Sequence, residues 1–164
     1  MKLVPYAQAI KLKYPEPVCL VTTADEHGKP NVMTIGWWML ASVHPPMMTI
    51  SVAGPYYSHG LIQKRREFVI CFPGETMVEQ VLICGAHSGR TTDKFAAACL
   101  TPLPATRVAP PLIAECLAAF ECKLVAEVPA GDHTLFVGEV VASHVSEKTE
   151  RRLFSLGGGK LGGL

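Results

Sequence analysis

No apolar run in this 164-residue chain reaches the ~20 residues a membrane-crossing helix needs, so no transmembrane helix is expected. Charge is also scarce. Only 18% of residues are Asp, Glu, Lys or Arg and the net charge is +1, which leaves no field for steering nucleic acid or an anionic membrane surface. The opening segment MKLVPYAQAIKLKYPEP carries three lysines and lacks the apolar stretch of a secretory signal, so a cytoplasmic location is expected. None of the six cysteines (19, 71, 84, 99, 116 and 122) forms C-x-x-C, and their neighbours read as strand or helix interior. Reduced, buried thiols are expected rather than a disulfide framework. The six histidines are scattered without ligand spacing, which excludes an obvious metal site. A catalytic triad, a paired-carboxylate site and a G-x-x-x-x-G-K-[ST] loop are missing too. The glycine-rich segment 157–163 is terminal and follows no predicted strand, so it is no dinucleotide fingerprint. Chemistry must therefore come from a bound cofactor, or the chain acts by binding alone.

What is present is apolar: 49% of residues are hydrophobic, enough for one domain over 1–164 with a real core and, in an oligomer, a buried interface. PVCLVTTAD and NVMTIGWW flank the turn signal EHGKP and predict a hairpin. PPMMTISVA predicts a third strand with its prolines at the start, and EFVICF a fourth. YSHGLIQKRR predicts a short helix capped by Ser58. ETMVEQVLICGAHSG predicts another, with Gly85 or Gly89 near its end. TTDKFAAACL predicts a third, with Thr91 or Thr92 as N-cap and Asp93 in the first turn. TPLPATRVAPP reads as an extended loop. AAFECKLVAEV and HTLFVGEVVASHV predict a long hairpin across PAGD, and Leu153, Phe154 and Leu156 give the glycine-rich tail something to dock. Six or so strands with inserted helices favour a closed barrel over a parallel sheet.

Two adjacent tryptophans, Trp37 and Trp38, cannot enter one core from one strand, because neighbours point to opposite faces. One of them fills the core and the other is free for something planar.

In order along the chain, PVCLVTTADEHGKPNVMTIGWWMLASVHPP, YSHGLI, EFVI, SGRTTDKF, GDHTLFVGEV and LFSLGGGKL resemble the flavin reductase-like family of FMN-binding split barrels, and within it the flavoredoxin-type members. The resemblance runs from about Pro17 to the tail. It implies a mainly β, antiparallel Greek-key split β-barrel with short inserted helices and a non-covalently bound FMN. It places Asn31, Met33 and Thr34 along the flavin ring, largely through backbone, and Trp37 flanking the ring. Ala41 and Ser42 lie beside the cofactor, and Ser51, Val52 and Ala53 follow its ribityl chain. Ser58 and Lys94 hold the phosphate, with Ser88 and Gly89 nearby, and His133 sits at the reactive face. Where some members carry a second Ser or Thr beside the phosphate-binding hydroxyl, this chain has Tyr57 and His59, and Leu161 stands where some carry an aromatic residue. The implied activity is NAD(P)H-dependent reduction of flavin or ferric iron in a homodimer, with hydride passing from nicotinamide to flavin. The rivals are a flavoredoxin-like electron carrier serving a redox protein, and a split barrel that only binds a ligand. A phosphate of about −1.5 to −2 charge calls for a cation and N–H donors, which suits Lys94 and a helix N-terminus.

Overall fold

A computed structural model describes all 164 residues. Helix α1 (Tyr6–Ala9) precedes strands β1 (Glu16–Pro17), β2 (Cys19–Ala24), β3 (Pro30–Ile35), β4 (Trp38–Ser42) and β5 (Met47–Ala53). Helix α2 (Tyr57–Arg65) leads to β6 (Glu67–Phe72), then to α3 (Val78–Ala86) and α4 (Lys94–Ala97). Two short strands, β7 (Pro102–Leu103) and β8 (Leu112–Ile113), flank the proline-rich loop. The long hairpin β9 (Ala118–Ala130) and β10 (His133–Val145) follows, and β11 (Leu153–Gly157) and β12 (Lys160–Gly163) close the chain.

Seven strands make one antiparallel sheet in the order β3-β2-β6-β9-β10-β5-β4. It curls until Met33 and Ile35 of β3 share a core with Met48, Ile50 and Val52 of β5. No ladder joins the two edges, β3 and β4, so the closed barrel expected from strand count is corrected to a split one. The chain turns at Gly36–Trp37 and sends β4 to the opposite edge, where it pairs with β5.

Strand β2 is buried along its whole length because both faces of the sheet are covered. Cys19 and Val21 point into the barrel with Phe68, Ile70 and Phe136. Leu20 points outward with Val69 and Cys71, beneath Val81 and Cys84 of α3, Phe95 of α4 and Leu153 of the tail. The period-two alternation thus builds two cores from one strand. All six cysteines are free, and only Cys99 is exposed.

Two local readings change and one is refined. The N-cap of α4 is Asp93, whose carboxylate accepts from the Ala96 N–H, rather than Thr91 or Thr92. Helix α3 ends at Ala86, so Gly85 rather than Gly89 stands near its end, as a helical residue and not a left-handed cap, because the chain leaves through His87 in extended form. The glycine-rich segment does follow a strand, β11, but it turns into a second strand through Gly157, Gly158 and Gly159, all at positive φ. It therefore opens no helix and cradles no dinucleotide. Arg152 fastens this tail hairpin. Its guanidinium lies 3.7 Å from the Phe72 ring centroid and 5.5 Å from that of Trp38, and it donates to the Val18 carbonyl.

After Pro102–Leu103 pair as β7, residues 104–111 form the expected extended loop, and a buried charge holds it. The wholly buried Glu121 of β9 accepts from the N–H groups of Thr106 (2.8 Å), Arg107 (2.6 Å) and Val108 (3.1 Å), and from the Thr106 hydroxyl. His144 Nε2 lies 2.7 Å from the same carboxylate.

Candidate functional site

A cavity of about 330 Å³ opens where β3, the start of α2, the end of α3 and the 87–94 turn meet. Of the residues assigned from sequence, Met33, Thr34, Ser58, Ser88, Gly89 and Lys94 line it. Asn31 stands directly behind. Its side chain is buried and its Nδ2 donates to Ser58 Oγ (2.8 Å) and Thr23 Oγ1 (3.1 Å).

Lys94 gives the cavity its character. It is 5% exposed, donates to the Cys84 carbonyl at 3.0 Å, and takes part in no ion pair. Burial pulls its pKa below the ordinary lysine value. The neighbouring Cys84 thiol is pushed up to about 11 by burial, although the ammonium opposes the shift. A buried cation without a carboxylate is costly unless an anion joins it.

The helix ends supply the rest, though differently from the expectation. Ser58 is not a cap: Tyr56 holds that position, and no side chain caps α2. Ser58 lies inside the first turn with its hydroxyl buried at the cavity wall. The N–H groups of Tyr57 and Ser58 find no acceptor in the backbone. Helix α4 has only four residues, so its dipole is slight, and Lys94 contributes its own charge rather than a helix end. His59 is engaged elsewhere, with Nε2 2.9 Å from Thr134 Oγ1. Tyr57 does line the cavity, and the Arg90 guanidinium lies 5.7 Å from its ring centroid.

A second group forms on β4, β5 and β10. The Trp37 and His133 rings lie 4.8 Å apart, and His133 stands opposite Ala53 in the β5–β10 ladder. Ser51 donates its N–H to the Trp37 carbonyl at 2.9 Å. The tryptophan question resolves here. Trp38 packs on Phe72 and donates Nε1–H to the Pro17 carbonyl at 3.0 Å, whereas Trp37 is 52% exposed. Asp132 fixes the imidazole, with Oδ1 2.7 Å from His133 Nδ1.

None of this second group lines the cavity, and a second groove adjoins the cavity along β3 and α3. It is lined by Gly36, Ser155, Gly159 and Leu161 among others, and shares Thr34, Gly85 and Ala86 with the cavity. Gly36 adjoins Trp37 in sequence, although neither Trp37 nor His133 lines the groove. Helix α3 lies against β3 here, and a Cβ at Gly85 would make ordinary contact with Thr34.

Three assigned residues fall elsewhere. Val52 is wholly buried in the barrel core, so its side chain can reach no ligand. Ala41 is exposed on the edge strand, and Ser42 lines a separate apolar groove with Leu40, Met47 and Phe120. Sequence reasoning missed Pro55, Tyr56 and the Cys84–His87 stretch, all of which line the cavity. Asp132 was missed as well, although its place beside His133 was the available signal.

The flavin reductase-like domain model matches residues 12–159 of this chain. A protein of Archaeoglobus fulgidus is 38% identical over 128 residues, covering 78% of this chain and 71% of its own. The NADH:riboflavin 5′-phosphate oxidoreductase of Streptomyces pristinaespiralis is 27% identical over 125 residues, 76% of this chain and 68% of the relative. Among solved structures, the flavoredoxin of Desulfovibrio vulgaris superposes with a TM-score of 0.84 at 28% identity, covering 92% and 87% of the two chains. The FMN-binding protein of Thermus thermophilus, with bound 1-cyclohex-2-enone, does so with a TM-score of 0.85 at 27% identity, covering 99% and 92%. The fold is the split barrel of a flavin-binding class of proteins, and the chain belongs to the flavin reductase-like family.

Proposed function

We propose that residues 1–164 act as a single FMN-binding domain that takes electrons from NAD(P)H and delivers them to flavin, ferric iron or another acceptor. The observation that carries this reading is the buried Lys94 ammonium, free of any carboxylate, in the wall of the cavity. The FMN phosphate would meet Lys94, Ser58 Oγ and the free N–H groups of α2. Ser88 and Gly89 line the same cavity. The rest of the molecule would follow Thr34 and Gly36 toward Trp37. FMN held there would supply the redox chemistry, as a hydride acceptor for a nicotinamide. The protein's part is to hold, orient and exclude water. Asp132 keeps the proton of His133 on Nδ1, which leaves Nε2 as the atom that would face the reacting partner. Five buried free thiols suit a reducing compartment, so the cytoplasm is the proposed location.

The test starts from the protein saturated with FMN and desalted. About one flavin per chain is expected to remain. Anaerobic NADH or NADPH should then bleach it, more slowly in His133→Ala at equal occupancy. A protein that keeps no flavin refutes the reading. Flavin that stays bound but is bleached by neither nicotinamide favours the electron-carrier reading, which the likeness to flavoredoxin supports.

A homodimer is part of the proposal. Strand β4 is an edge strand whose neighbourhood exposes Trp37, Met39, Leu40 and Val43, and residues 31–48 carry no Asp, Glu, Lys or Arg. An apolar, uncharged edge invites pairing with a second copy. Sedimentation velocity across a dilution series should show dimers that release FMN as they dissociate. Monomers that retain FMN at every concentration would separate assembly from cofactor binding.

A further inference from the structure

We infer that Asn31 is a positioning residue that acts through Ser58: its amide donates to Ser58 Oγ, so the Ser58 proton must turn into the cavity and donate to the anionic end of the ligand. The inference rests on the proposed binding of the FMN phosphate at this end, and it gives Asn31 a side-chain role in place of a backbone contact with the ring.

The network is buried, and within the protein the Ser58 proton has no acceptor while Asn31 Oδ1 has no donor. Nδ2 has two hydrogens, and both are used, on Ser58 Oγ and Thr23 Oγ1. A hydroxyl that already receives a hydrogen bond keeps one proton to give. Ser58, 3% exposed, lies on the cavity wall beside the free N–H groups of α2. Giving that proton to a phosphate oxygen would make a charge-assisted bond. Asn31 Oδ1 is buried without a donor and lies against Gly89, where a Cβ would run into it. That contact favours this orientation of the amide. A carbonyl oxygen tolerates a Cα–H neighbour, whereas an NH₂ turned toward Gly89 would leave two donors unpaired. Gly89 thus packs on the back of the same amide that aims Ser58, which ties the 87–89 turn to the hydroxyl.

A double-mutant cycle read by equilibrium binding of FMN and riboflavin tests this. Ser58→Ala should weaken FMN about ten- to a hundredfold, and Asn31→Ala about three- to tenfold, with riboflavin nearly unchanged in both. In the Ser58→Ala background, Asn31→Ala should change FMN affinity by less than about twofold, because the group it aims is gone. Losses that multiply, or that fall equally on riboflavin, overturn the inference. Asn31→Asp provides a near-isosteric second variant should the alanine variant fold poorly. Its ionised carboxylate can only accept, so it turns the Ser58 proton inward and should weaken FMN at least as much as Ser58→Ala. If Asn31→Asp spares FMN, the amide already sat the other way and the inference fails. A wild type that binds FMN no better than riboflavin overturns the phosphate reading and the inference together. A wild type that discriminates while the cycle multiplies overturns the inference alone.

Discussion

Lys94→Ala is expected to weaken FMN binding roughly ten- to a hundredfold while riboflavin binding hardly changes. The ammonium is buried, unpaired and hydrogen-bonded only to the Cys84 carbonyl, so its electrostatic demand is unmet until an anion arrives. A hydrogen bond to a charged group contributes about 1.5–3 kcal/mol, and each 1.4 kcal/mol is about a tenfold change in affinity. Riboflavin shares the ring and lacks the phosphate, which isolates the contact. Titrations of both ligands against wild type and variant, with the far-ultraviolet spectrum as a check of folding, measure the difference. Equal losses for the two ligands in a folded variant would assign Lys94 to the ring or to the barrel. The same substitution removes a desolvated charge, so the ligand-free variant should be no less stable than the wild type.

Acid is expected to loosen the proline-rich loop through Glu121. Burial by itself would raise the pKa of this carboxyl. The Thr106 N–H and hydroxyl, the Arg107 N–H and His144 outweigh it and hold the value at about 2. The folded value therefore lies below the unfolded one of 4.5. The stabilisation is fully present above that unfolded value and disappears as the pH falls through the folded one. Its size is about 3 kcal/mol, at 1.36 kcal/mol per unit. Glu121→Gln should lose most of this at every pH, because the amide NH₂ confronts N–H donors that a carboxylate accepts. Urea midpoints of both proteins between pH 7 and pH 2.5 should converge as the wild type weakens. Parallel curves would move the acid sensitivity to another group.

Much of the barrel was legible because its strands obey a simple rule. With both faces of the sheet covered, PVCLVTTAD and EFVICF are continuous apolar runs bounded by turns, and their shortness and β-branched or aromatic content mark them as strands rather than buried helix. The tryptophan pair was legible as a contradiction, one residue too many for one face, although only the Phe72 and Pro17 contacts decide which indole goes inside. Local spacing could not reveal partners distant in sequence. Ser58 looks like a cap until Asn31, 27 residues away, takes its oxygen. Glu121 looks like an ordinary strand charge until a loop 13 to 15 residues upstream folds over it. Val52 was placed along the ribityl chain with Ser51 and Ala53 because the family resemblance implies it. The period of two points it into the barrel, so the pattern that found the strand also excluded the side chain.

The two tryptophans have one more consequence, a spectroscopic one. Trp38 is packed against Phe72 with its N–H bound, and Trp37 is half in solvent beside His133. With no third indole in the chain, emission divides into an iodide-accessible component and a shielded one. A ligand that reaches the exposed indole should remove the accessible, red-shifted component first and leave the shielded one largely intact. Its arrival beside Trp37 could then be timed separately from the docking of its phosphate at Lys94, in the unlabelled protein.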